Sequence, residues 1–193
     1  LPHTAGHPER GFGRFSVGRC YWRAARRHFR HEPIPAKHAH REPATVTVLV
    51  TGASGFLGSA VVRKLLDNDE HVRVMTRKTS DTTNIADLDV EIFYADLRDP
   101  ASLLNACRGC RSLFHVAADY RLWVRDPSVL YDSNVAGTRN IMHAALEAGI
   151  ERIVYTSSVA TLGLNRDGSP ANEQTPVTLE NMIGHYKRSK FLA

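Results

Sequence analysis

Val46-Thr47-Val48-Leu49-Val50 runs straight into Thr51-Gly52-Ala53-Ser54-Gly55-Phe56-Leu57-Gly58, after which apolar residues recur at helical spacing as far as Leu66. The β-branched run has the pattern of a strand buried on both faces. A glycine-rich turn that carries such a strand directly into a helix has the form that a dinucleotide site requires. Gly52 allows the tight turn, Gly55 lets the backbone come close to a pyrophosphate, and Gly58 lets the new helix pack on the sheet. The ligand's negative charge would meet the free N–H groups of the first helical turn. The same glycines also suit an ordinary strand–helix connection built from small residues, so the rest of the chain has to decide.

Working outward, the pattern alternates. His71–Thr76 predicts a second strand, Ile85–Leu88 a short helix and Val90–Tyr94 a third strand. Asp99-Pro100 opens a helix with an acidic N-cap and proline in the first position. Leu113–Ala117 predicts a fourth strand, Ser128–Ala148 a long helix closed by Gly149, and Ile153–Thr156 a fifth strand. A last helix is expected over Leu179–Ala193, and residues 163–176, with Gly163, Gly168, Pro170 and Pro176, as a loop near the site. Repeated strand–helix–strand units predict an α/β fold: a Rossmann-type parallel sheet with helices on both faces. Ligands of such sheets sit beyond the strand C-termini. The loops of interest all fall there: Gly52–Gly58, Arg77–Lys78, Asp96–Leu97, Ala117–Trp123 and Ser157–Leu162.

The chain has 193 residues and a formal net charge of +5. That charge is unevenly placed. Residues 1–44 hold nine Lys/Arg, three Asp/Glu and six His, whereas residues 45–193 hold 16 Lys/Arg and 17 Asp/Glu, giving +6 for the head and −1 for the body. The basic balance therefore gives the body no nucleic-acid character. Residues 1–44 read as a basic extension, disordered or foreign to the mature protein. A targeting segment and a nucleic-acid tail stay open for the stretch Arg10–Arg30. No apolar run approaches the ~20 residues of a membrane span. Cys20, Cys107 and Cys110 cannot form a disulfide framework, which fits a reducing, cytoplasmic compartment. Cys107-Arg108-Gly109-Cys110 has CxxC spacing, but no second pair completes a metal site, and Gly109 reads as a helix C-cap. No metal is expected.

Cofactor choice turns on the end of the second strand. An NAD-selective site tends to carry an acid there to accept from the ribose hydroxyls. This chain has Thr76-Arg77-Lys78, and a guanidinium can clamp a 2′-phosphate with paired charge-assisted bonds. NADP is expected over NAD, with NAD kept open by the nearby Asp81. Asp96-Leu97 is a candidate for the adenine edge, or for simple helix capping.

Tyr186-Lys187-Arg188-Ser189-Lys190 places a phenol and an amine four residues apart on one helical face. A phenol is a poor base at neutral pH, and an adjacent ammonium favours its phenolate. Tyr186 can then exchange a proton with a substrate hydroxyl while hydride passes between carbon and nicotinamide, and Lys190 can hold the nicotinamide ribose. Ser157-Ser158, past the fifth strand, supplies hydroxyls for the reacting oxygen or for loop capping. Asn134, inside the long helix, reads by itself as an exposed amide.

Together these segments, with His115-Val116-Ala117-Ala118 and Asn134-Val135-Ala136-Gly137-Thr138, resemble the extended short-chain dehydrogenase/reductase superfamily over residues 45–193. Within it the chain is similar to dihydroflavonol-reductase-like enzymes and nucleotide-sugar epimerases, most of all to the hopanoid-associated sugar epimerase family. The resemblance implies Ser158 as catalytic serine, Tyr186 as acid/base, Lys190 as its partner, and Asn134 as an asparagine that positions the lysine through water. It implies Gly52, Ser54, Gly55 and Gly58 at the pyrophosphate, with Phe56 and Leu57 offering N–H groups. Arg77 resembles the NADP-selecting base, and Ala117, with Asp96 and Leu97, lines the cofactor cleft. Substrate contacts are implied from Asp119 to Trp123.

Extended members continue well beyond the lysine, whereas only Phe191-Leu192-Ala193 follow Lys190 here. Residues 45–193 are thus expected to be an incomplete dinucleotide-binding domain without its substrate domain, inactive as a piece and a possible homodimer at full length. The expected activity is NAD(P)-dependent oxidoreduction of a small molecule at a hydroxyl or carbonyl carbon. Two alternatives stay open: a nucleotide-sugar epimerase or dehydratase with tightly held cofactor, and a non-catalytic dinucleotide-binding regulator.

Overall fold

The computed structural model describes residues 47–193. The readings of residues 1–44, Cys20 and Val46 lie outside the described residues. Five strands, β1 (Thr47–Thr51), β2 (His71–Thr76), β3 (Glu91–Tyr94), β4 (Cys110–His115) and β5 (Arg152–Tyr155), form one parallel sheet in the order β3-β2-β1-β4-β5. The chain lays β2 and β3 on one side of β1 and then crosses to place β4 and β5 on the other. The direction of winding therefore reverses between β1 and β4, and the crevice beyond their C-terminal ends is where such sheets bind ligands.

Alternation within each strand divides the core in two. Leu49, Met75 and Leu113 face α2 (Pro100–Cys107) and α4 (Gly137–Glu147), packing on Leu103, Ala106, Ile141 and Ala145. Val50, Val72 and Val74 face the other way, onto Val62 of α1 (Phe56–Leu66) and onto Ile85. The expected start of α2 is observed: the Asp99 carboxylate accepts from the N–H groups of Ala101 (3.2 Å) and Ser102 (3.4 Å), with Pro100 in the first position.

Several expected boundaries need correction. The fourth strand begins at Cys110 rather than Leu113, because Gly109 turns the chain at φ 75° and Cys110 pairs at once with Thr47. It ends at His115 rather than Ala117, whose N–H donates to Thr51 Oγ1 (3.2 Å) instead of to a ladder. The short helix expected at Ile85–Leu88 is a single 3-10 turn, Thr83–Ile85, set by the Asp81 carboxylate accepting from the N–H (2.9 Å) and hydroxyl (2.6 Å) of Thr83. Residues 128–147 are helical, but a π turn at Asp132–Ala136 separates α3 (Ser128–Tyr131) from α4. The last helix, expected from Leu179, is broken at Gly184, whose φ of 82° no helix accommodates. A 3-10 turn spans Leu179–Asn181, and α5 covers His185–Leu192.

Cys107 and Cys110 are free and buried, and burial pushes the Cys107 thiol up to about 12, with Cys110 raised for the same cause. Thiols so protonated make poor nucleophiles. Among the described residues no group of His, Cys, Asp or Glu is arranged to hold a metal, and no helix is long and apolar enough to cross a membrane.

Candidate functional site

Every strand ends at the same edge, which gathers the segments singled out in the sequence. Gly52 leaves β1 at φ 68°, and a Cβ there would lie 2.7 Å from Ala117, so β1 and β4 approach each other backbone to backbone. Gly58 is tighter still, since its Cβ would overlap the Gly52 carbonyl oxygen. Gly55 differs from both. Its φ is an ordinary −80°, and the only atom near an added Cβ is the Gly52 oxygen at 3.4 Å. The fold needs glycine at 52 and 58, while at 55 the missing side chain leaves room beside the turn.

No side chain caps α1, and no acid stands in its first turn. Unpaired N–H groups and the positive end of the dipole thus face that room, and an anionic pyrophosphate fits it. Ser54 helps to fix the turn through its carbonyl, which accepts from Asn84 Nδ2 (2.9 Å). Arg63 holds Asn84 and Asp87 in turn. Phe56 and Leu57, whose N–H groups start the helix, leave their side chains exposed.

Arg77 is exposed at the end of β2 and forms no ion pair among the described residues. Asp96 is engaged by Arg98, whose Nη2 lies 2.6 Å from its carboxylate. Those hydrogen bonds hold Asp96 down at about 2, with a smaller contribution from the Arg77 charge. Asp96 therefore stays ionised, pinned to its own loop. Leu97 packs against Gly137 of α4 and accepts through its carbonyl from Asn140 Nδ2 (2.9 Å).

Ser158 caps a 3-10 turn, Val159–Thr161, with its Oγ accepting from the Ala160 N–H (3.1 Å), which leaves the hydroxyl proton to donate. Helix α5 packs on that turn, on α3 and on the π turn. Tyr186 and Lys190 stand one turn apart along it. Tyr186 is half-buried, and no hydrogen bond joins its hydroxyl to Lys190 among the described residues. Lys190 is buried, and its Nζ donates instead to Tyr155 Oη (2.7 Å) and to the Thr156 carbonyl (3.1 Å). The pairing expected from sequence is thus present as proximity on one helix, with the ammonium bound elsewhere.

Asn134, read from the sequence alone as an exposed amide, is buried at 1% exposure. Its Oδ1 accepts from the Asp119 N–H (2.7 Å), and its Nδ2 donates to the Asp119 carbonyl (2.9 Å) and Ser189 Oγ (2.9 Å). The π turn adds a residue to the helix and turns this amide inward, a frequent device at functional sites. Asn134 thereby ties the start of the 119–123 segment to α5 beside Lys190. Tyr120, Leu122 and Trp123 in that segment are exposed.

One cluster was missed. Register places Thr51, His115 and Tyr155 side by side across β1, β4 and β5. His115 is fully buried, hydrogen-bonded through Nδ1 to Thr51 Oγ1 (2.7 Å) and through Nε2 to Thr138 Oγ1 (3.1 Å), and stacked on Tyr155. The only sequence signal was a polar residue closing each of three apolar strands. Burial, and secondarily the Lys190 charge, lowers the imidazole to about 4. An unfolded histidine takes its proton near pH 6.5 and this one only near 4, so between those values the unfolded chain binds more protons. Stability should therefore fall as pH drops, by up to about 3 kcal/mol from pH 7 to pH 4. Urea unfolding at both pH values should show this loss, and His115→Gln should reduce it. An unchanged slope in the variant rejects the assignment to His115.

A family model described as NAD dependent epimerase/dehydratase family matches residues 48–193. The putative dihydroflavonol 4-reductase of Synechocystis sp. is 47% identical over 144 residues, covering 75% of this chain and 42% of that protein. The crystal structure of gox2253 shares 56% identity at a TM-score of 0.73, over 77% of this chain and 44% of that one. The crystal structure of the UDP-glucose 4-epimerase of Thermus thermophilus in complex with NAD shares 31% identity at a TM-score of 0.67, over 76% of this chain and 48% of that one. This chain spans less than half the length of these relatives.

Proposed function

The chain belongs to the NAD dependent epimerase/dehydratase family, and from that premise we propose that the protein is an NADP-preferring oxidoreductase acting on a hydroxyl or carbonyl carbon of a small molecule. The observation that supports this best is the packing of α5, with Tyr186 and Lys190, on the turn capped by Ser158, at the sheet edge that holds the uncapped glycine turn. Bound with its pyrophosphate at Gly52–Gly58, the nicotinamide cofactor supplies hydride transfer to or from the reacting carbon. Ser158 donates its free hydroxyl proton to the substrate oxygen and stabilises charge developing there. Tyr186 delivers or removes the proton on that oxygen. Lys190, bound at the end of β5, holds the ribose, and its charge acts on Tyr186 from one helical turn away rather than through a hydrogen bond. A spectrophotometric assay of the intact protein with NADPH and a panel of carbonyl compounds tests the reading. Consumption of NADPH supports it, and no consumption with any compound counts against it.

Arg77 favours NADP on charge grounds, and Asp81, the acid that kept NAD open, is engaged with Thr83. Arg77→Ser is expected to weaken NADPH binding about tenfold or more by removing a charge-assisted clamp, leaving NADH within about twofold. Equal affinity of the unsubstituted protein for NADH and NADPH would defeat the NADP preference.

Similarity to a UDP-glucose 4-epimerase bound to NAD supports a second reading, an epimerase or dehydratase that keeps its cofactor. Such an enzyme converts a nucleotide sugar with no net change in nicotinamide absorbance, whereas the reductase oxidises NADPH in proportion to product.

A further inference from the structure

Lys190 is 4% exposed, and its ammonium has no carboxylate partner among the described residues. A buried charge left unligated is strongly unfavourable, so the neutral groups around this one matter. They are the Thr156 carbonyl, the Tyr155 hydroxyl at 2.7 Å, and the Tyr155 ring, whose centroid lies 4.4 Å from Nζ. Tyr155 therefore serves the cation as a hydrogen-bond acceptor, with its ring close by. The ring is itself fixed, stacked on His115 at 5.4 Å between centroids and 17° between planes. His115 is anchored in turn to Thr51, the last residue before the glycine turn, and to Thr138 on α4. A continuous series of contacts thus runs from the pyrophosphate turn through His115 and Tyr155 to the amine on α5.

We propose that Tyr155 is a positioning residue for Lys190, its hydroxyl, on a ring fixed by His115, holding the ammonium at the end of β5 in register with the glycine turn, where it meets the cofactor ribose. The proposal rests on the reading of Lys190 as a cofactor contact. It assigns Tyr155 no proton transfer and no substrate contact: Tyr155 acts through Lys190 alone.

A double-mutant cycle on cofactor affinity in the intact protein separates this role from a merely structural one. NADPH is titrated calorimetrically into the unsubstituted protein, Tyr155→Phe, Lys190→Met and the double variant. Phenylalanine keeps the ring and its stack on His115, so the fold is preserved while the hydroxyl is lost. Tyr155→Phe is expected to weaken NADPH about tenfold, the scale of a hydrogen bond to a charged group, and to add less than about twofold in the Lys190→Met background. In turnover, kcat should fall with the substrate KM unchanged. Affinity within about twofold of the parent in Tyr155→Phe, or the same loss with and without Lys190, overturns the proposal. If Lys190→Met binds NADPH as the parent does, the reading of Lys190 as a cofactor contact fails first. If Lys190→Met binds weakly and Tyr155→Phe normally, the proposal for Tyr155 alone fails.

Discussion

Tyr186→Phe is expected to lower turnover of the intact protein about a thousandfold, while affinity for the cofactor stays within a few-fold. The size follows from the task given to the phenol. Proton transfer to or from a reacting oxygen by a positioned side chain contributes about 10²- to 10⁴-fold, and no second hydroxyl on α5 stands where Tyr186 does, since Ser189 Oγ is bonded to the Tyr186 carbonyl and to Asn134. Binding should survive because the helix is fixed without the phenol. Asn134 holds Ser189, Arg188 Nε donates to the Met182 carbonyl (3.0 Å), and Lys190 is bound at the end of β5. The removed oxygen makes no hydrogen bond of its own among the described residues, so no buried partner is stranded. Steady-state rates with a carbonyl substrate, set beside NADPH titration of the same variant, check both halves. Undiminished turnover sinks the role of Tyr186, and lost binding with lost turnover shows instead that its hydroxyl helps to build the cofactor site.

What could be read from the chain beforehand was what neighbours in sequence determine. The turn at Gly52–Gly58 is legible because strand, turn and helix are contiguous, and Asp99-Pro100 marks a helix start because a cap works within three residues. The parallel sheet followed from connection rules rather than from any residue, and its strand order was not read. Asn134 could not be placed in this way. Its burial depends on a π turn, and the amide is satisfied by Asp119 and Ser189, 15 and 55 residues distant. The break at Gly184 was hidden by apolar spacing that continues through it. The row Thr51–His115–Tyr155 was illegible for a deeper reason: register between strands is a tertiary property, and each residue alone looks like an ordinary strand end. For the same reason the amine expected to point at Tyr186 turned out to be held by a tyrosine 35 residues away.

The glycine turn offers the sharpest contrast, because two glycines three residues apart should fail in opposite ways. Gly58→Ala drives a methyl into the Gly52 carbonyl oxygen and leaves it 2.6 Å from the carbonyl carbon. Both are backbone atoms of a turn pinned by Gly55 N–H to the Gly52 carbonyl (3.1 Å), and Gly52 itself abuts Ala117. Nothing flexible can yield, so α1 must lift from β1 and from the Val62 core, at a cost of about 3 kcal/mol or more. Gly55→Ala meets a single oxygen at 3.4 Å with an ordinary backbone angle, and its stability should stay within about 1 kcal/mol of the parent. The methyl instead fills the room over the uncapped N–H groups, and NADPH affinity should fall about a hundredfold as the pyrophosphate is pushed from its donors. Urea unfolding and cofactor titration on both variants separate the outcomes. A Gly55→Ala protein that binds as the parent does removes the pyrophosphate from this turn, whatever the fold resembles. A Gly58→Ala protein of parental stability would mean that the helix tolerates a looser seat than its contacts imply.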